Sequence, residues 1–439
     1  MDAHNLRAPA ATTEGGREVF RHAERRVPPF LPEPGGPDAQ NEVLPFVVVG
    51  AEAAAAGGAG PLMHAYADAF LDRAAVTHEV EAFAREAAGG KTGLEAARAL
   101  HAAVMARFQG RDAGLSGSAG ATVAQDRGSR LMTLKAALAA VGLRARVAMV
   151  RTFGADPASY RFPTEALFPY ACLVLELPGS APVWLDTSVR WAPFGQLPEQ
   201  AAGGREAYLW PEPGLPLQAV RTPEGGAPPP KRVELTASVS EDGTLVGEGR
   251  DTYAGFEAAA LSEGFSQLSG DKRRQALQGA LGRYFSGAEL GEVQVDEERG
   301  VGKPFSLRYT FRAPGFARPE GDKRVLGPLT FPQQLGRRYL QLSRRQTQLV
   351  IDASDATETV VRLKLPRGWT LARPEPKLEV ASPFGRLERR ERLEGDTLVI
   401  EESLRVNMAR VSPTEYEAFG GFAGQVDLVQ GRELDLQKP

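Results

Sequence analysis

Two stretches of the sequence decide the fold: DRGSRLMTLKAALAAVGL at residues 126–143 and WLDTSVRWAPFGQLP at residues 184–198. In the first, apolar residues recur every three to four positions, as on one face of a helix: Leu131, Leu134, Leu138 and Val141. Gly142 follows them and suits a helix C-terminus. This pattern predicts a helix from about residue 127 to 141.

The sequence around these stretches predicts more helices, then strands. Three helical patterns precede the first stretch, at residues 61–73, 77–90 and 92–108. Three apolar or β-branched runs follow it, at residues 144–153, 169–177 and 182–188. We therefore expect an α+β fold in which a bundle of helices packs on an antiparallel sheet.

The rest of the chain divides around this core. Residues 1–60 hold two strand candidates and are too few to bury a core of their own. We assign the core to residues 61–218 and a Pro-rich linker to residues 219–232, because Pro228–Pro230 form a stiff spacer. Residues 233–439 predict a mostly antiparallel β domain with a helical insertion. Its basic run RLERRER, at residues 386–392, is interpreted as a solvated strand edge.

Composition excludes several classes of function. The 439 residues include 52 basic and 55 acidic side chains, so the net charge of −3 gives no sign of a nucleic-acid partner. No apolar run is long enough for a transmembrane helix. One cysteine and five histidines without HxH or HxxxH spacing predict neither a disulfide framework nor a metal site. Gly-Gly pairs occur without the frame of a phosphate-binding loop, so no cofactor is expected.

Three segments of the core resemble the bacterial transglutaminase-like superfamily, whose papain-like core is flanked by β domains. The helix from Asp126 to Leu143 is similar to the family pattern GDCKDKAxLLxALLRxxGI. FPYACLV, at residues 168–174, is similar to FNHVxVxV, and the stretch beginning at Trp184 is similar to WLDPT followed by xxxPFGxLP. The resemblance extends over nearly the whole chain, with residues 1–60 matching the exit of a preceding β domain.

This resemblance implies a Cys–His–Asp triad, and the sequence departs from it at two positions. Arg127 stands at the cysteine position and Tyr170 at the histidine position, whereas Asp186 matches the family's aspartate. Arginine is a permanent cation without a nucleophilic lone pair, and tyrosine is a poor base at neutral pH. The triad reaction is therefore not expected.

Cys172 is the alternative nucleophile. It lies two residues after Tyr170, on the same face of the strand, and away from the helix start that lowers a thiol pKa. The simpler interpretation is a small buried apolar residue. His101 is interpreted as a partly exposed helix residue. Tyr160, Tyr170 and Trp191 are either core residues or part of the former cleft.

Three functions remain open. The first is a non-catalytic transglutaminase-like protein, a pseudoenzyme acting as a binding or scaffolding module with a protein partner. The second is a cysteine-type acyl transferase or peptidase with a non-standard site. The third, which overlaps the first, is a structural protein of the cell envelope. The resemblance favours the periplasm or the cell surface, although residues 1–30 lack the apolar segment of a signal peptide.

The triad positions give a geometric prediction. If the fold is retained, the helix start, Tyr170 and Asp186 converge. We then expect either an Arg127–Asp186 ion pair with Tyr170 hydrogen-bonded beside it, or an Arg127 side chain turned into solvent. The ion pair is the favoured alternative.

Overall fold

The helices of the chain lie mainly between residues 60 and 140, and most of the strands follow them. The structure is a computed structural model that describes residues 1–23, 25, 29–50, 58–285, 287–296, 300–373, 375 and 377–438. It has an α+β fold with a mostly β C-terminal region. Below, residues 58–222 are called the core region and residues 231–438 the C-terminal region.

Four short strands form two antiparallel pairs near the N-terminus. They are β1 (Asp2–His4), β2 (Ala11–Glu14), β3 (Arg17–Phe20) and β4 (Phe46–Val48). β1 pairs with β4 and β2 with β3. This segment is fastened to the C-terminal region, because the Glu33 carboxylate accepts hydrogen bonds from the backbone N–H groups of Gln346 and Thr347, at 2.8 and 2.9 Å.

Five helices of the core region pack on one face of an antiparallel sheet. The helices are α1 (Gly60–Phe70), α2 (His78–Ala88), α3 (Gly93–Arg107), α4 (Ala119–Gln125) and α5 (Arg130–Ala140). The strands are β5 (Arg144–Val150), β6 (Tyr170–Glu176), β7 (Val183–Leu185), β8 (Glu206–Leu209) and β9 (Gln218–Arg221). The strand order is β7-β6-β5-β8-β9.

The side chains of β6 alternate between two apolar clusters. Leu173 and Leu175 face the helices, whereas Cys172 and Val174 belong to a second cluster on the opposite face. This is the two-residue period of a strand that is covered on both faces. Tyr170 packs with the second cluster, on the face away from the helices.

Helix α5 begins at Arg130, three residues later than the predicted start. The Ser129 hydroxyl accepts a hydrogen bond from the N–H of Met132 at 2.9 Å, which is an N-cap. Gly128 enters this cap with φ +144°, and a Cβ there would lie 2.4 Å from Oγ1 of Thr122. Residues 126–128 therefore form a loop ahead of the helix.

The C-terminal region holds fourteen further described strands and four helices. The strands are β10 (Lys231–Val239), β11 (Leu245–Tyr253), β12 (Glu289–Val295), β13 (Phe305–Ala313), β14 (Ala317–Glu320), β15 (Lys323–Leu326), β16 (Leu349–Ile351), β17 (Asp355–Lys364), β18 (Thr370–Leu371), β19 (Leu378–Ser382), β20 (Gly385–Glu394), β21 (Thr397–Val406), β22 (Ala409–Val411) and β23 (Leu434–Gln437). The helices are α6 (Gly255–Gln267), α7 (Gly270–Tyr284), α8 (Leu335–Tyr339) and α9 (Tyr416–Gln430).

An eight-stranded sheet dominates this region. Its order is β12-β13-β11-β10-β17-β21-β20-β19, and only the β10–β17 pair within it is parallel. A four-stranded sheet, β14-β15-β23-β18, and the β16–β22 pair accompany it. The helical insertion predicted near residues 256–285 corresponds to α6 and α7.

One helix of this region was missed by the sequence analysis, and one charged run was misinterpreted. Helix α9 was not predicted, because Gly420, Gly421 and Gly424 weaken its helix propensity, yet it buries Phe419, Phe422 and Val426. The run at residues 386–392 is not a solvated edge. It lies in β20, between β19 and β21, and two of its charged side chains, Arg389 and Glu391, are buried.

Across the described ranges, the helices are too short or too polar to cross a membrane.

Candidate functional site

Asp186 and Tyr170 meet where β7 ends and β6 begins. Because the two strands are antiparallel, with Leu173 opposite Leu185, these ends lie side by side. Tyr170 Oη donates a hydrogen bond to Asp186 Oδ2. Ser188 Oγ donates to the same carboxylate at 2.9 Å, and the N–H groups of Ser188 and Val189 bond to Oδ1 at 3.0 and 3.3 Å. Tyr170, Asp186 and Ser188 are called the Asp186 cluster below.

The Asp186 cluster is buried and holds its carboxyl without a cation. Asp186 is fully buried, and it has no ion pair with any residue of the described ranges. Burial raises the pKa of the Asp186 carboxyl, although the hydrogen bonds from Tyr170 and Ser188 oppose that shift. Burial, followed by the charge of Asp186, raises the pKa of Tyr170 well above its usual value. Tyr170 is thus a hydrogen-bond donor here and not a base.

Arg127 does not join this cluster. It lies in the loop before α5, its side chain is exposed, and it makes no ion pair within the described part of the chain. The favoured Arg127–Asp186 pair is therefore wrong, and the structure has the other alternative, an Arg127 side chain in solvent. The neighbouring carboxylate is occupied too, because Asp126 Oδ1 pairs with Arg107 Nε at 2.7 Å.

A different arginine, which the sequence analysis did not single out, reaches the Asp186 loop. Arg130 is 2% exposed, and its Nε and Nη2 each donate to a backbone carbonyl at 2.9 Å, of Thr187 and Ser188 respectively. Its Nη1 donates to the carbonyl of Gly110 at 3.1 Å. A signal was available in the helical pattern, since positions 134 and 137, one and two turns later on the same face, are apolar.

His101 also contacts this loop, and its expected partial exposure is wrong. The side chain is fully buried on α3, with Nε2 3.1 Å from the backbone oxygen of Asp186. Burial lowers the pKa of His101 to about 4, so the imidazole is neutral at pH 7 and Nε2 donates this bond. The ring meets Phe194 edge-on, at 5.5 Å between centroids. His101 thus orients the loop.

Cys172 is enclosed on the same face of the sheet as Tyr170, the face away from the helices. It is fully buried in the cluster opposite the helices, with Ala148, Val174 and Trp184 among its members. Burial, followed by the charge of Asp186, raises the pKa of this thiol well above its usual value. The sulfur is therefore protonated at neutral pH and cut off from solvent, which is the opposite of an activated nucleophile.

The remaining aromatic candidates do not line one cleft. Trp191 is 5% exposed and packs with Met105 and Ala259. Tyr160 stacks on His4, with 4.1 Å between ring centroids, and belongs to the contact with the N-terminal strands.

A cleft of about 730 Å³ opens beside the Asp186 cluster, between the core region and α6. The core side contributes Asp112, Arg130, Ser188 and Arg190, and α6 contributes Glu263 and Ser266. Glu263 joins the two sides, because its Oε2 accepts from the N–H of Arg190 at 3.1 Å and its Oε1 lies 3.7 Å from Arg130 Nη1.

The wall of this cleft is polar, with charges of both signs and hydroxyl groups. Burial raises the pKa of Asp112, against the lowering effect of the Arg130 charge. Ser188 belongs to both the cleft and the Asp186 cluster. Such a surface can hydrogen-bond and pair with a polar ligand. No group of three or more His, Cys, Asp or Glu side chains in the described ranges is arranged to hold a metal ion.

Comparison with known proteins gives one family and one fold. Residues 322–435 match the family DUF3858, described as a domain of unknown function with a solved structure. No curated protein matches the chain. The fold is similar to the crystal structure of a "putative protease" from Parabacteroides distasonis ATCC 8503, with a TM-score of 0.53 and 11% sequence identity. That match covers 99% of this chain and 68% of the other, and at this identity it shows a likeness of fold alone.

Proposed function

We propose that this chain is a non-catalytic transglutaminase-like protein whose core serves as a binding or scaffolding module. The observation that supports this most is the position of Cys172. The cysteine is fully buried on the sheet face opposite the helices, and the family's nucleophile and base positions hold Arg127 and Tyr170.

The chemistry of the family needs three groups, and of these the site presents only the carboxylate, Asp186. A thiolate must be exposed to substrate, a base must accept its proton, and a third group must orient that base. Cys172 is protonated and enclosed, and Tyr170 keeps its proton and donates a hydrogen bond to Asp186. His101, the buried imidazole on α3, bonds to the backbone oxygen of Asp186. We therefore interpret the Asp186 cluster as a stabilised remnant of an active site.

The similar crystal structure supports the family proposal through its fold. Its name refers to protease activity, and a protease of the cysteine type would need an accessible thiol, whereas the single cysteine of this chain is buried. The resemblance of residues 126–143 and 184–198 to the family motifs supports the same proposal from the sequence. The same resemblance favours the periplasm or the cell surface, and we propose one of these as its location.

The cleft next to the Asp186 cluster is the surface that we propose for binding. It lies against the loop that carries Asp186 and Ser188, and α6 closes it from the other side. Its mixed charges and hydroxyl groups suit the backbone and polar side chains of a peptide segment. Its partner is therefore expected to be a protein.

Activity and thiol reactivity test the non-catalytic part of this proposal. Peptide hydrolysis and amine incorporation are measured for the wild type and for Cys172→Ala, and we expect turnover in neither. Iodoacetamide at pH 7 should label Cys172 only after unfolding. Turnover that disappears in Cys172→Ala, together with fast labelling of the folded protein, would establish the alternative, a cysteine-type acyl transferase or peptidase.

A cleft-filling variant tests the binding part. Ser266→Trp places an indole in the cleft, whereas Gln275→Trp places the same group on the exposed surface of α7. We expect an envelope protein captured by the wild type and by Gln275→Trp to be lost with Ser266→Trp. Capture that is equal for all three proteins would place the binding surface elsewhere.

A further inference from the structure

Three arginine side chains line a small pocket in the C-terminal region. It has a volume of about 380 Å³ and lies between the end of α7 and the start of α8. Its lining includes the following polar and charged side chains: Arg283, Tyr284, Gln333, Gln334, Arg337 and Arg338. Pro332 completes the lining, which contains no acidic residue.

Two of these three arginines are not neutralised. Arg338 pairs with Asp355, Nη1 to Oδ2, at 2.8 Å. Arg283 has no ion pair or hydrogen bond with any residue of the described ranges, and the one such contact of Arg337 is with Gln334 Oε1 at 3.4 Å. The pocket therefore carries an uncompensated positive charge.

The loop that forms one wall of the pocket is strained. Phe331 and Gln334 have φ values of +53° and +52°, and they are two of the five non-glycine residues with positive φ in the described ranges. A left-handed conformation is costly for a bulky residue such as phenylalanine, and strain of this kind concentrates at functional sites.

Hydrogen bonds hold this loop in place. The N–H of Gln333 bonds to Gln430 Oε1 at 2.8 Å, and the N–H groups of Leu335 and Gly336 bond to the Asp427 carboxylate at 2.7 and 2.8 Å. The Phe331 ring packs edge-on against Tyr284, at 5.0 Å between centroids. The wall of the pocket is thus formed before any ligand arrives.

We propose that this pocket binds a small anion that carries phosphate or carboxylate groups. A guanidinium group presents parallel N–H donors that match both kinds of anion, and it is always charged. The volume lies near the lower end of the range for ligand pockets, which fits a small polyanion or the anionic end of a longer molecule. The Gln333 and Gln334 amides supply further polar contacts at the rim.

Titration calorimetry with two probes, pyrophosphate and citrate, tests the proposal on the full chain. The test variant is Arg283→Gln with Arg337→Gln. The control is Arg250→Gln with Arg367→Gln, which removes the same charge from exposed arginines outside the pocket. We expect at least one probe to bind the wild type and the control equally, and the test variant at least about tenfold more weakly, as for a lost charge-assisted contact.

The relative strength of the two probes identifies the anion. Tighter binding of pyrophosphate indicates a phosphate ligand, and tighter binding of citrate indicates a carboxylate ligand. Thermal unfolding should be the same for all variants, because the substituted side chains are exposed. Absence of binding by both probes, or equal weakening in the test and control variants, overturns the proposal.

Discussion

The core region and the C-terminal region each bury carboxyl groups, and they compensate them in different ways. In the C-terminal region, Arg389 is fully buried between two glutamates, with Nε 2.9 Å from Glu391 Oε1 and Nη1 3.5 Å from Glu402 Oε2. In the core region, Asp186 is equally buried but receives hydroxyl and backbone N–H groups only. The C-terminal site pairs its buried carboxylates with a guanidinium. The Asp186 site stabilises its carboxyl with neutral hydrogen-bond donors.

The two sites should therefore tolerate different substitutions. Burial raises the pKa of Glu402, and the Arg389 charge and the Gln430 amide, 2.7 Å from Glu402 Oε1, oppose this shift without cancelling it. No cation opposes the burial of Asp186 in this way. We therefore expect the C-terminal network to depend on its arginine, and the Asp186 cluster to depend on shape and hydrogen bonding more than on charge.

The largest effect is expected when the arginine of the buried network is removed. Arg389→Met leaves Glu402 buried without its cation and leaves Glu391 with only the Arg432 guanidinium, at 3.9 Å, so the free energy of unfolding of this region should fall by about 3–5 kcal/mol. The measurement is urea denaturation followed by a probe in the C-terminal region. The matched control is Arg392→Met in the same strand, whose pairs with Glu394 and Glu401 are exposed, so its effect should be much smaller. Equal effects would show that burial does not set the strength of these pairs.

The second effect separates charge from hydrogen bonding at Asp186. Asp186→Ala leaves the N–H groups of Ser188 and Val189 without an acceptor and should cost about 2–4 kcal/mol. Asp186→Asn keeps the shape and one acceptor oxygen, so it should cost clearly less. A cost of Asp186→Asn equal to that of Asp186→Ala would mean that the negative charge itself holds the loop.

The pH dependence of the same pair has a definite sign. The pKa of Asp186 is raised in the folded state from its ordinary value of 3.8, so the folded protein retains this proton where the unfolded chain has lost it. The stability of the wild type relative to Asp186→Asn is therefore greatest below the unfolded pKa, and it declines as pH rises through the folded pKa. A relative stability that increases with pH over this window would contradict the raised pKa.

The order of helices and strands could be predicted from the sequence more fully than the site could. Periodicity and apolar runs predicted four of the five helices and three of the five strands of the core region, but they did not predict α4, β8 or β9. They also missed α9, whose glycines weaken the signal, and the burial of Arg389 and Glu391, whose partners come from distant strands. The division into residues 1–60, 61–218, 219–232 and 233–439 stays a prediction, which limited proteolysis near residues 223–230 would test.

The site was predicted in part, for a physical reason. The resemblance brought Tyr170 and Asp186 to notice, and they are hydrogen-bonded. It also pointed to Arg127, whereas the structure places Arg130 against the loop. Alignment with the family motif assigns a residue to the nucleophile position by its place in the sequence alone. The N-cap at Ser129 decides where the helix begins, and therefore which arginine points inward. The role of His101 depends on a backbone oxygen, which no side-chain pattern reveals.

A smaller effect is expected from the Tyr170 hydroxyl. Tyr170→Phe removes one of the hydrogen bonds to Asp186 and leaves those from Ser188 and Val189, so stability should fall by about 1–2 kcal/mol. The control is Tyr208→Phe, whose hydroxyl bonds to Glu206 Oε1 at 2.8 Å in a half-exposed position, and it should have less effect. Both are measured by chemical denaturation at pH 7. If Tyr208→Phe lowers stability as much as Tyr170→Phe does, burial does not strengthen the hydrogen bond between Tyr170 and Asp186.

The smallest effect on stability is expected at Arg127. It tests whether Arg127, as the family motif implies, or Arg130, as the structure shows, contacts the Asp186 loop. Its side chain is exposed and ahead of α5, so Arg127→Ala should change the free energy of unfolding by no more than about 0.5 kcal/mol. Arg130→Met is the matched partner, because it removes the donors to the carbonyls of Gly110, Thr187 and Ser188 from a buried position and should cost several times more. A large loss of stability in Arg127→Ala with a small loss in Arg130→Met would contradict this structure. It would support the contact between Arg127 and Asp186 that the family motif implies.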